Sequence, residues 1–188
     1  MTLKKWQLLS STDVSPSKWF PVEKRKYKHP NGQIIDDFTV TTLADVSMIV
    51  PITKDGKIVI VRQFKPGADE FTLEFPAGRR EKDHTSFLAT AHHELEEETG
   101  IDAPMDSFIE LGKLSGFTTK ASELVYVYLV TGCEFNSVQN LDPNEEIEVL
   151  TFSRQEIEDK ITSNEIWFSQ TIASWELAKR KHPEIITQ

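Results

Sequence analysis

The residues of this chain that are best suited to chemistry are three glutamates in one short segment. Glu97 and Glu98 follow Glu94 by three and four residues, so on a helix the three carboxylates would share one face. Like charges at this spacing repel, and acidic groups near a helix C-terminus oppose the helix dipole at a cost of about 0.3–1 kcal/mol each when exposed. A divalent cation such as Mg²⁺, bound by carboxylate oxygens together with substrate phosphates, would stabilise them. The alternative is a solvated acidic helix end with no ligand.

The surrounding sequence predicts the helix that would carry these glutamates. Gly100 is suited to end the helix, because a residue in the left-handed conformation commonly follows the last turn. Thr85 and Ser86 are both suited to be the N-cap. Four apolar residues recur at helical spacing between these ends: Phe87, Leu88, Ala91 and Leu95.

The three glutamates belong to a longer motif. Residues 93–101 read H-E-L-E-E-E-T-G-I, and residues 74–78 read E-F-P-A-G. This arrangement resembles the box of the Nudix hydrolase family, G-x5-E-x7-R-E-U-x-E-E-x-G-U, in which U is a bulky aliphatic residue. Residues 59–64, V-I-V-R-Q-F, and residues 116–119, G-F-T-T, are similar to the ADP-ribose (ADP-sugar) pyrophosphatase branch of that family. The resemblance extends over residues 19–179.

The motif departs from the family pattern in both halves. The Arg of the second half is His93, whereas every other fixed position there matches. In the first half, Gly78 lies one residue too far upstream, and the expected glutamate is replaced by His84 or Thr85. His93 lies four residues before Glu97 and could pair with it, with fewer donors than Arg and a charge that depends on pH. We therefore expect turnover that is reduced or more sensitive to pH; the alternative is an exposed histidine with no partner.

The resemblance implies both a fold and a reaction. The fold class is α/β: residues 44–188 form a Nudix α/β/α sandwich with a mixed sheet, and residues 1–43 form an N-terminal β extension that acts as a dimer element. The reaction is Mg²⁺-dependent hydrolysis of the diphosphate bond of ADP-ribose or a related nucleoside diphosphate sugar, giving AMP and a sugar phosphate, with Mn²⁺ as an alternative ion. Another nucleotide sugar or a dinucleotide is an alternative substrate. A degenerate Nudix module that binds nucleotide without hydrolysis is an alternative function.

The resemblance also assigns metal ligands. Glu94 and Glu98 match the metal-binding glutamates of the family. Glu97 matches the other box glutamate, which binds metal directly or supports its neighbours, and it is therefore a catalytic candidate as well. The backbone carbonyl of Ala77 matches a further metal contact in this branch. Glu96 lies at a variable position and is expected to be solvated.

The general base is expected in a later loop. In the ADP-ribose branch it is often a glutamate of a mobile loop just before a late strand. Glu145 and Glu146 match that position, and their spacing does not choose between them. A solvated acidic turn is the alternative for either residue. Glu123 is a weaker candidate, because it leads directly into a predicted strand.

Substrate binding requires cations for phosphate and an aromatic surface for the base. Trp19 and Phe38 correspond to N-terminal aromatic residues that, in related enzymes, hold adenine across a homodimer interface; core packing is the alternative. Four nearby cations could bind phosphate, each with a solvated surface charge as the alternative: Arg62, Lys65, Arg79 and Arg80.

The composition is that of an ordinary globular protein. The chain of 188 residues is 38% hydrophobic and 27% charged, and its formal net charge is −9. That charge argues against nucleic acid as a partner but allows a small phosphorylated ligand. Cys133 is the single cysteine, so no intrachain disulfide is expected, and a buried thiol in a reducing compartment is favoured. Without a recognisable signal peptide or membrane-length apolar run, we expect a cytoplasmic protein with no membrane partner.

The remaining pattern predicts strands on both sides of the box helix. An Asn-Gly turn within residues 28–32 predicts a hairpin over residues 19–40. Residues 153–156 fit a capping box that opens a short helix. A final amphipathic helix is predicted to pack its aromatic residues, from Trp167 to Trp175, in the core. Further strands are predicted at residues 46–52, 58–61, 72–75, 108–114, 124–130 and 147–152.

Overall fold

The computed structural model describes residues 2–82 and 84–186. These residues form two compact units, one within Met1–Ala44 and Ser115–Glu123 and the other within Asp45–Leu114 and Leu124–Gln188. The strands are β1 (Gln7–Asp13), β2 (Val22–Lys28), β3 (Ile34–Thr41), β4 (Val46–Thr53), β5 (Ile58–Lys65), β6 (Glu70–Glu74), β7 (Ala77–Arg79), β8 (Phe108–Leu114), β9 (Val125–Cys133) and β10 (Ile147–Phe152). The helices are α1 (Phe87–Thr99), α2 (Arg154–Thr162), α3 (Ser169–Lys181) and α4 (Pro183–Ile186), with a 3₁₀ turn at Met105–Ser107.

The unit that contains the N-terminal residues is an antiparallel sheet with the order β1-β2-β3. The predicted hairpin is confirmed: β2 and β3 are joined by a turn in which Gly32 has φ 93° and its N–H donates to the His29 carbonyl at 2.8 Å. The sequence pattern does not predict β1, because all its residues are exposed and no hydrophobic period marks it. Three aromatic rings pack edge to face in this unit: Trp6, Tyr27 and Phe38.

The other unit is built on a seven-stranded mixed sheet with the order β10-β5-β4-β9-β8, in which β6 pairs with β5 and β7 pairs with β4. β4 and β9 are parallel, and the other pairs are antiparallel. β4 and β5 pair beside their turn, at Ile52 and Ile58, and then diverge. The chain passes from β6 to β7 through Phe75 and Pro76. The Pro76 carbonyl accepts a hydrogen bond from Ile49 N–H of β4 at 2.9 Å.

Alternate residues of the central strands pack on opposite faces of this sheet. On one face, Met48 and Ile60 join a buried cluster with Trp175 of α3. On the other face, Ile49 joins a buried cluster with Leu95 of α1. Full burial of a large aliphatic side chain contributes about 1.5–3 kcal/mol, so each helix is held by its apolar face. Helices cover both faces of the sheet, which confirms the predicted α/β/α sandwich.

The other element predictions are largely confirmed. β8 and β10 have the predicted bounds, and α2 opens with the predicted capping box. The last long helix begins later than predicted, because α3 starts at Ser169 and Phe168 is its N-cap. Trp167 therefore precedes the helix and is 38% exposed, so its predicted place in the core beside Trp175 is wrong. In the part of the chain that the structure describes, no helix has the length and apolarity needed to span a bilayer.

Candidate active site

Helix α1 places the box glutamates, and its two ends are fixed by local hydrogen bonds. Ser86, rather than Thr85, is the N-cap, and its hydroxyl accepts a hydrogen bond from Ala89 N–H at 3.0 Å. Gly100 ends the helix in the left-handed conformation, with φ 72°, and its N–H donates to the Glu96 carbonyl at 2.8 Å. Because the apolar face of α1 packs on the sheet, the neighbouring acidic face is held against the segment that joins β6 to β7.

That segment interlocks with two of the box glutamates. Ala77 N–H donates to the Glu98 carboxylate at 2.9 Å, and Glu98 is only 6% exposed. The Glu94 carboxylate lies against Gly78 so closely that a Cβ at this position would be 2.0 Å from Glu94 Cδ. No side chain can be accommodated there without displacing Glu94. The E-F-P-A-G segment and the helix are therefore complementary surfaces, and glycine at this position leaves room for the Glu94 carboxylate.

These groups line a cavity of about 520 Å³. It contains six of the residues predicted for the site: Ala77, Arg79, Glu94, Glu97, Glu98 and Glu145. The rest of its lining consists of Gly78, Glu81, His84, His93, Asn140, Leu141 and Asp142. The predominance of carboxylates gives the cavity the donor set of a site for a hard divalent cation.

Burial and mutual repulsion disfavour the charged forms of these carboxylates. Burial, followed by the charge of Glu94, raises the pKa of Glu98 to about 8. Burial, followed by the charges of Glu97 and Glu145, raises the pKa of Glu94 to about 8. Burial also raises the pKa of Glu97, against the opposing effect of His93. A divalent cation would replace the protons that these groups otherwise bind, so the residues fit the ion that the family resemblance implies.

A second cluster of ligand-type side chains combines residues of the same helix with a residue just beyond its end. Among residues 2–82 and 84–186, the group whose ligand atoms all lie within 4.8 Å of one another is His92, Glu96 and Asp102; the three box glutamates do not form a group this tight. His92 Nε2 is 3.1 Å from Asp102 Oδ1, and Glu96 accepts a hydrogen bond from the Ser137 hydroxyl at 2.8 Å. These bonds account for the second cluster without an ion.

The two candidates for the general base are separated by the structure. Glu145 lines the cavity, and its charge contributes to the raised pKa values of Glu94, Glu97 and Glu98. Glu146 is not part of the cavity lining. Glu123, the weaker candidate, belongs to the other compact unit.

The departures from the family box are neighbours in space. His93 Nδ1 is 3.0 Å from a carboxylate oxygen of Glu97, so the predicted pairing is present, and the alternative of a histidine without a partner is wrong. The His84 ring lies 4.9 Å from the His93 ring, and His84 Nδ1 is 3.1 Å from the Thr90 hydroxyl. The replacements in the two halves of the box therefore meet at one wall of the cavity. Sequence spacing alone gives no signal for this contact.

Of the four predicted phosphate cations, Arg79 lines the cavity. Arg62 is 3.2 Å from Glu148 and lies over the ring of Phe71. Lys65 donates to the Gln63 side chain at 2.6 Å and lies 3.6 Å from Glu74. Arg80 donates to backbone carbonyls within its own loop. These three cations have protein partners and are not part of the cavity lining, and their contact with substrate stays a prediction.

The two predicted base-binding aromatics belong to the other unit. Trp19 is 69% exposed, which is incompatible with the alternative of core packing, and the Lys18 ammonium lies 4.5 Å from its ring centroid. Phe38 is covered by the Lys120 ammonium at 4.1 Å and lines a cavity of about 320 Å³ together with Tyr27. An aromatic and cationic lining of this kind can hold a planar ring, but the assignment to substrate stays a prediction.

Comparison with known proteins gives three concordant similarities. A family model described as NUDIX domain matches residues 42–172. The ADP-ribose pyrophosphatase of Bacillus subtilis (strain 168) is 32% identical over 146 residues, which cover 76% of this chain and 75% of that protein. The ADP-sugar pyrophosphatase of Mus musculus is 38% identical over 97 residues, 46% of this chain and 44% of that protein.

A solved structure gives the same answer for the fold. The crystal structure of ADP compounds hydrolase superposes with a TM-score of 0.82 at 22% identity, covering 96% of this chain and 95% of that chain. At this identity the similarity establishes the fold.

Proposed function

We propose that this chain, which belongs to the Nudix domain family, hydrolyses the diphosphate bond of ADP-ribose or a related nucleoside diphosphate sugar. The products are AMP and a sugar phosphate, and the reaction depends on Mg²⁺ or Mn²⁺. The observation that carries the proposal is the contact of the E-F-P-A-G segment with the box helix, in which Gly78 leaves room for the Glu94 carboxylate and Ala77 N–H holds Glu98. Relatives named as ADP-ribose and ADP-sugar pyrophosphatases support the substrate class.

The carboxylates of Glu94, Glu97 and Glu98, with the backbone carbonyl of Ala77, would hold the divalent ion. Such an ion would neutralise charge on phosphate oxygens and lower the pKa of a water molecule. The protein contributes a buried acidic cavity whose carboxylates lose their protons when a cation is present. His93, 3.0 Å from Glu97, orients that glutamate where the family has Arg.

The remaining catalytic roles follow from the cavity lining. Arg79 binds a phosphate of the substrate, because it is the predicted cation that lines the cavity. Glu145 accepts the proton of the attacking water, because it lines the same cavity, whereas Glu146 does not. This choice between neighbouring glutamates is a proposal based on position.

We also propose that residues 1–43 are a dimer element of a cytoplasmic homodimer and that residues 44–188 are the catalytic domain. Trp19 and Phe38 then bind the adenine ring, as the family resemblance implies. Light scattering on the purified chain tests the dimer: a mass near twice the 21.5 kDa of one chain is expected, and a monomer at micromolar concentration contradicts it. Trp19→Ala should weaken ADP-ribose binding, whereas the exposed Trp167→Ala should not.

Incubation with a substrate panel tests the reaction. We expect AMP from ADP-ribose or ADP-glucose, or GMP from GDP-mannose, in the presence of Mg²⁺ but not of EDTA. Glu98→Gln is the inactive control, because it removes the carboxylate charge while keeping the size of the side chain. The alternative function, a module that binds nucleotide without hydrolysis, is favoured by the altered first half of the box, where His84 or Thr85 replaces the glutamate, and by His93. Binding across the panel without turnover would establish that alternative.

A further inference from the structure

The C-terminal end of α1 is closed by a distant loop. The last carbonyls of a helix have no partners within it. Here Asn140 N–H donates to the Glu97 carbonyl at 3.0 Å, and the side-chain amide of Gln139 donates to the Glu98 carbonyl at 2.7 Å. The backbone of two box glutamates is therefore held by the loop of residues 136–145, which we call the capping loop.

Two further contacts hold the start of the capping loop against the same helix end. Ser137 N–H donates to the Gly100 carbonyl at 2.9 Å, and the Ser137 hydroxyl donates to the Glu96 carboxylate at 2.8 Å. A Cβ at Gly100 would lie 2.9 Å from the Ser137 carbonyl oxygen. The box glycine is thus required by close contact with the capping loop as well as by its positive φ.

Gln139 connects the helix to the strand that follows the loop. Its amide nitrogen, 2.7 Å from the Glu98 carbonyl, also lies 3.3 Å from the Ile147 carbonyl, at the first residue of β10. The residues between Gln139 and Ile147 form the acidic turn that carries Glu145, whose N–H donates to the Asp142 carbonyl at 2.9 Å. One side-chain amide therefore ties both ends of this turn to the helix of the metal ligands.

We propose that Gln139 is a positioning residue that fixes the distance between Glu145 and the box glutamates. The inference rests on the proposed function, in which Glu145 is the general base, and extends it to a residue outside the box. Gln139 is exposed as a whole, so its hydrogen bonds matter to the path of the loop more than to the hydrophobic core. Its loss should change the position of the base without unfolding the protein.

Three variants test this role. Gln139→Glu keeps the side-chain size but replaces the donor with a carboxylate that repels both carbonyls. Gln139→Lys restores N–H donors and places a cation at a helix C-terminus, where it is favourable, so it should rescue function. Gln155→Glu makes the same chemical change at an exposed position of α2, where the amide donates to Asp159, and serves as the matched control.

The measurements that test the role are turnover, Mn²⁺ affinity by electron paramagnetic resonance, and amide hydrogen exchange at Asn140. Gln139→Glu should lower kcat about 10- to 100-fold, part of the 10²–10⁴ that a positioned base supplies. KM and Mn²⁺ affinity should stay within about threefold, because the base acts after binding and the metal ligands are retained. Exchange at the Asn140 amide should accelerate, whereas Gln139→Lys and Gln155→Glu should resemble the wild type.

Each contrary outcome has a defined meaning. Faster exchange at the Asn140 amide with unchanged kcat would show that the Gln139 side chain only stabilises the loop, and would overturn the positioning role. Unchanged exchange at Asn140, or a loss confined to Mn²⁺ affinity, would overturn it as well. Absence of turnover by the wild type on every panel substrate would instead overturn the proposed function. Turnover by the wild type that Gln139→Glu leaves unchanged would overturn only the inference about Gln139.

Discussion

Two clusters of ligand-type side chains differ in their surroundings: one is carried by α1 alone, and the other combines two residues of α1 with Asp102 beyond its end. Glu94, Glu97 and Glu98 line a cavity, and burial raises the pKa of each. His92, Glu96 and Asp102 form a tighter group, in which Asp102 pairs with His92 and Glu96 accepts a hydrogen bond from Ser137. Short distances between ligand atoms are therefore not sufficient to identify a cation site. The more informative property is a set of buried carboxylates whose charged forms are disfavoured, since a cation that binds there replaces their protons.

The largest expected effect separates the two clusters directly. Glu98→Gln should lower kcat/KM by about 10²–10³-fold, the loss typical of one preorganised electrostatic group. Glu96→Gln, on the same helix but in the other cluster, should stay within about threefold of the wild type, because it only weakens the bond to Ser137. Steady-state kinetics with ADP-ribose and Mg²⁺ make the measurement. Equal losses in both variants would show that the distinction between the clusters is wrong.

The next effect tests the close approach at Gly78. Gly78→Ala should displace the Glu94 carboxylate and lower activity about 10-fold or more, with little loss of stability, because the atoms that must move are the end of a flexible side chain. Gly67→Ala is the matched control, because an added Cβ there meets no atom within 4 Å. Mn²⁺ titration and urea unfolding of both variants give the two readouts. Undiminished Mn²⁺ binding by Gly78→Ala would contradict the interlocking of this segment with the helix.

The pH dependence of stability is expected to follow the buried cluster. The pKa of Glu98 is about 8 in the folded protein, above its ordinary value of 4.5. The protonated group thus contributes stability fully below pH 4.5, and this contribution is lost as pH rises through 8. In EDTA, the melting temperature should fall by about 5 °C between pH 5.5 and 8.5, and Mg²⁺ should restore it at the higher pH.

Glu98→Gln should weaken that dependence, since it removes one of the carboxyl groups whose pKa is raised to about 8 and leaves Glu94, whereas Glu96→Gln should leave it unchanged. If the metal-free wild type has the same melting temperature at pH 5.5 and pH 8.5, the inference that the buried carboxylates are protonated without a cation is contradicted.

The smallest expected effect concerns His93. His93→Arg should raise kcat about two- to fivefold at pH 8 and less at pH 6. Arg stays charged at every pH in this range, whereas the charge of a histidine side chain in general depends on pH. A pH–rate profile of the variant and the wild type gives the comparison. An unchanged or lower rate at pH 8 would show that the histidine orients Glu97 as well as Arg does.

The sequence predicts the parts of this molecule that depend on local spacing. The helix, its glycine stop and the shared face of Glu94 and Glu98 follow from period and capping preference alone. The choice of Glu145 over Glu146 does not, because the path of the acidic turn depends on hydrogen bonds to a helix about 40 residues earlier in the chain, among them Ser137 to Glu96 with a separation of 41.

The missed strands have a similar explanation. β7 is three residues long and is defined by its pairing with β4, so no pattern within it could indicate a strand. The contact between His84 and His93 also requires the fold, because the two residues lie on different sides of the helix start. In each case the missing information is tertiary: it resides in a partner that is distant in sequence.

The parallel pairing at the centre of the sheet has a consequence for how the protein is made. Val46 of β4 is opposite Val125 of β9, and α1 lies between them in the chain. Such a long-range pairing closes slowly, because a large loop must be ordered before any contact is gained. A nascent or truncated chain that ends before β9 therefore already carries the acidic helix but lacks the central strand beside β4. Chains released at that stage would expose the edge of the apolar β4 that β9 otherwise covers, and an exposed strand edge favours aggregation.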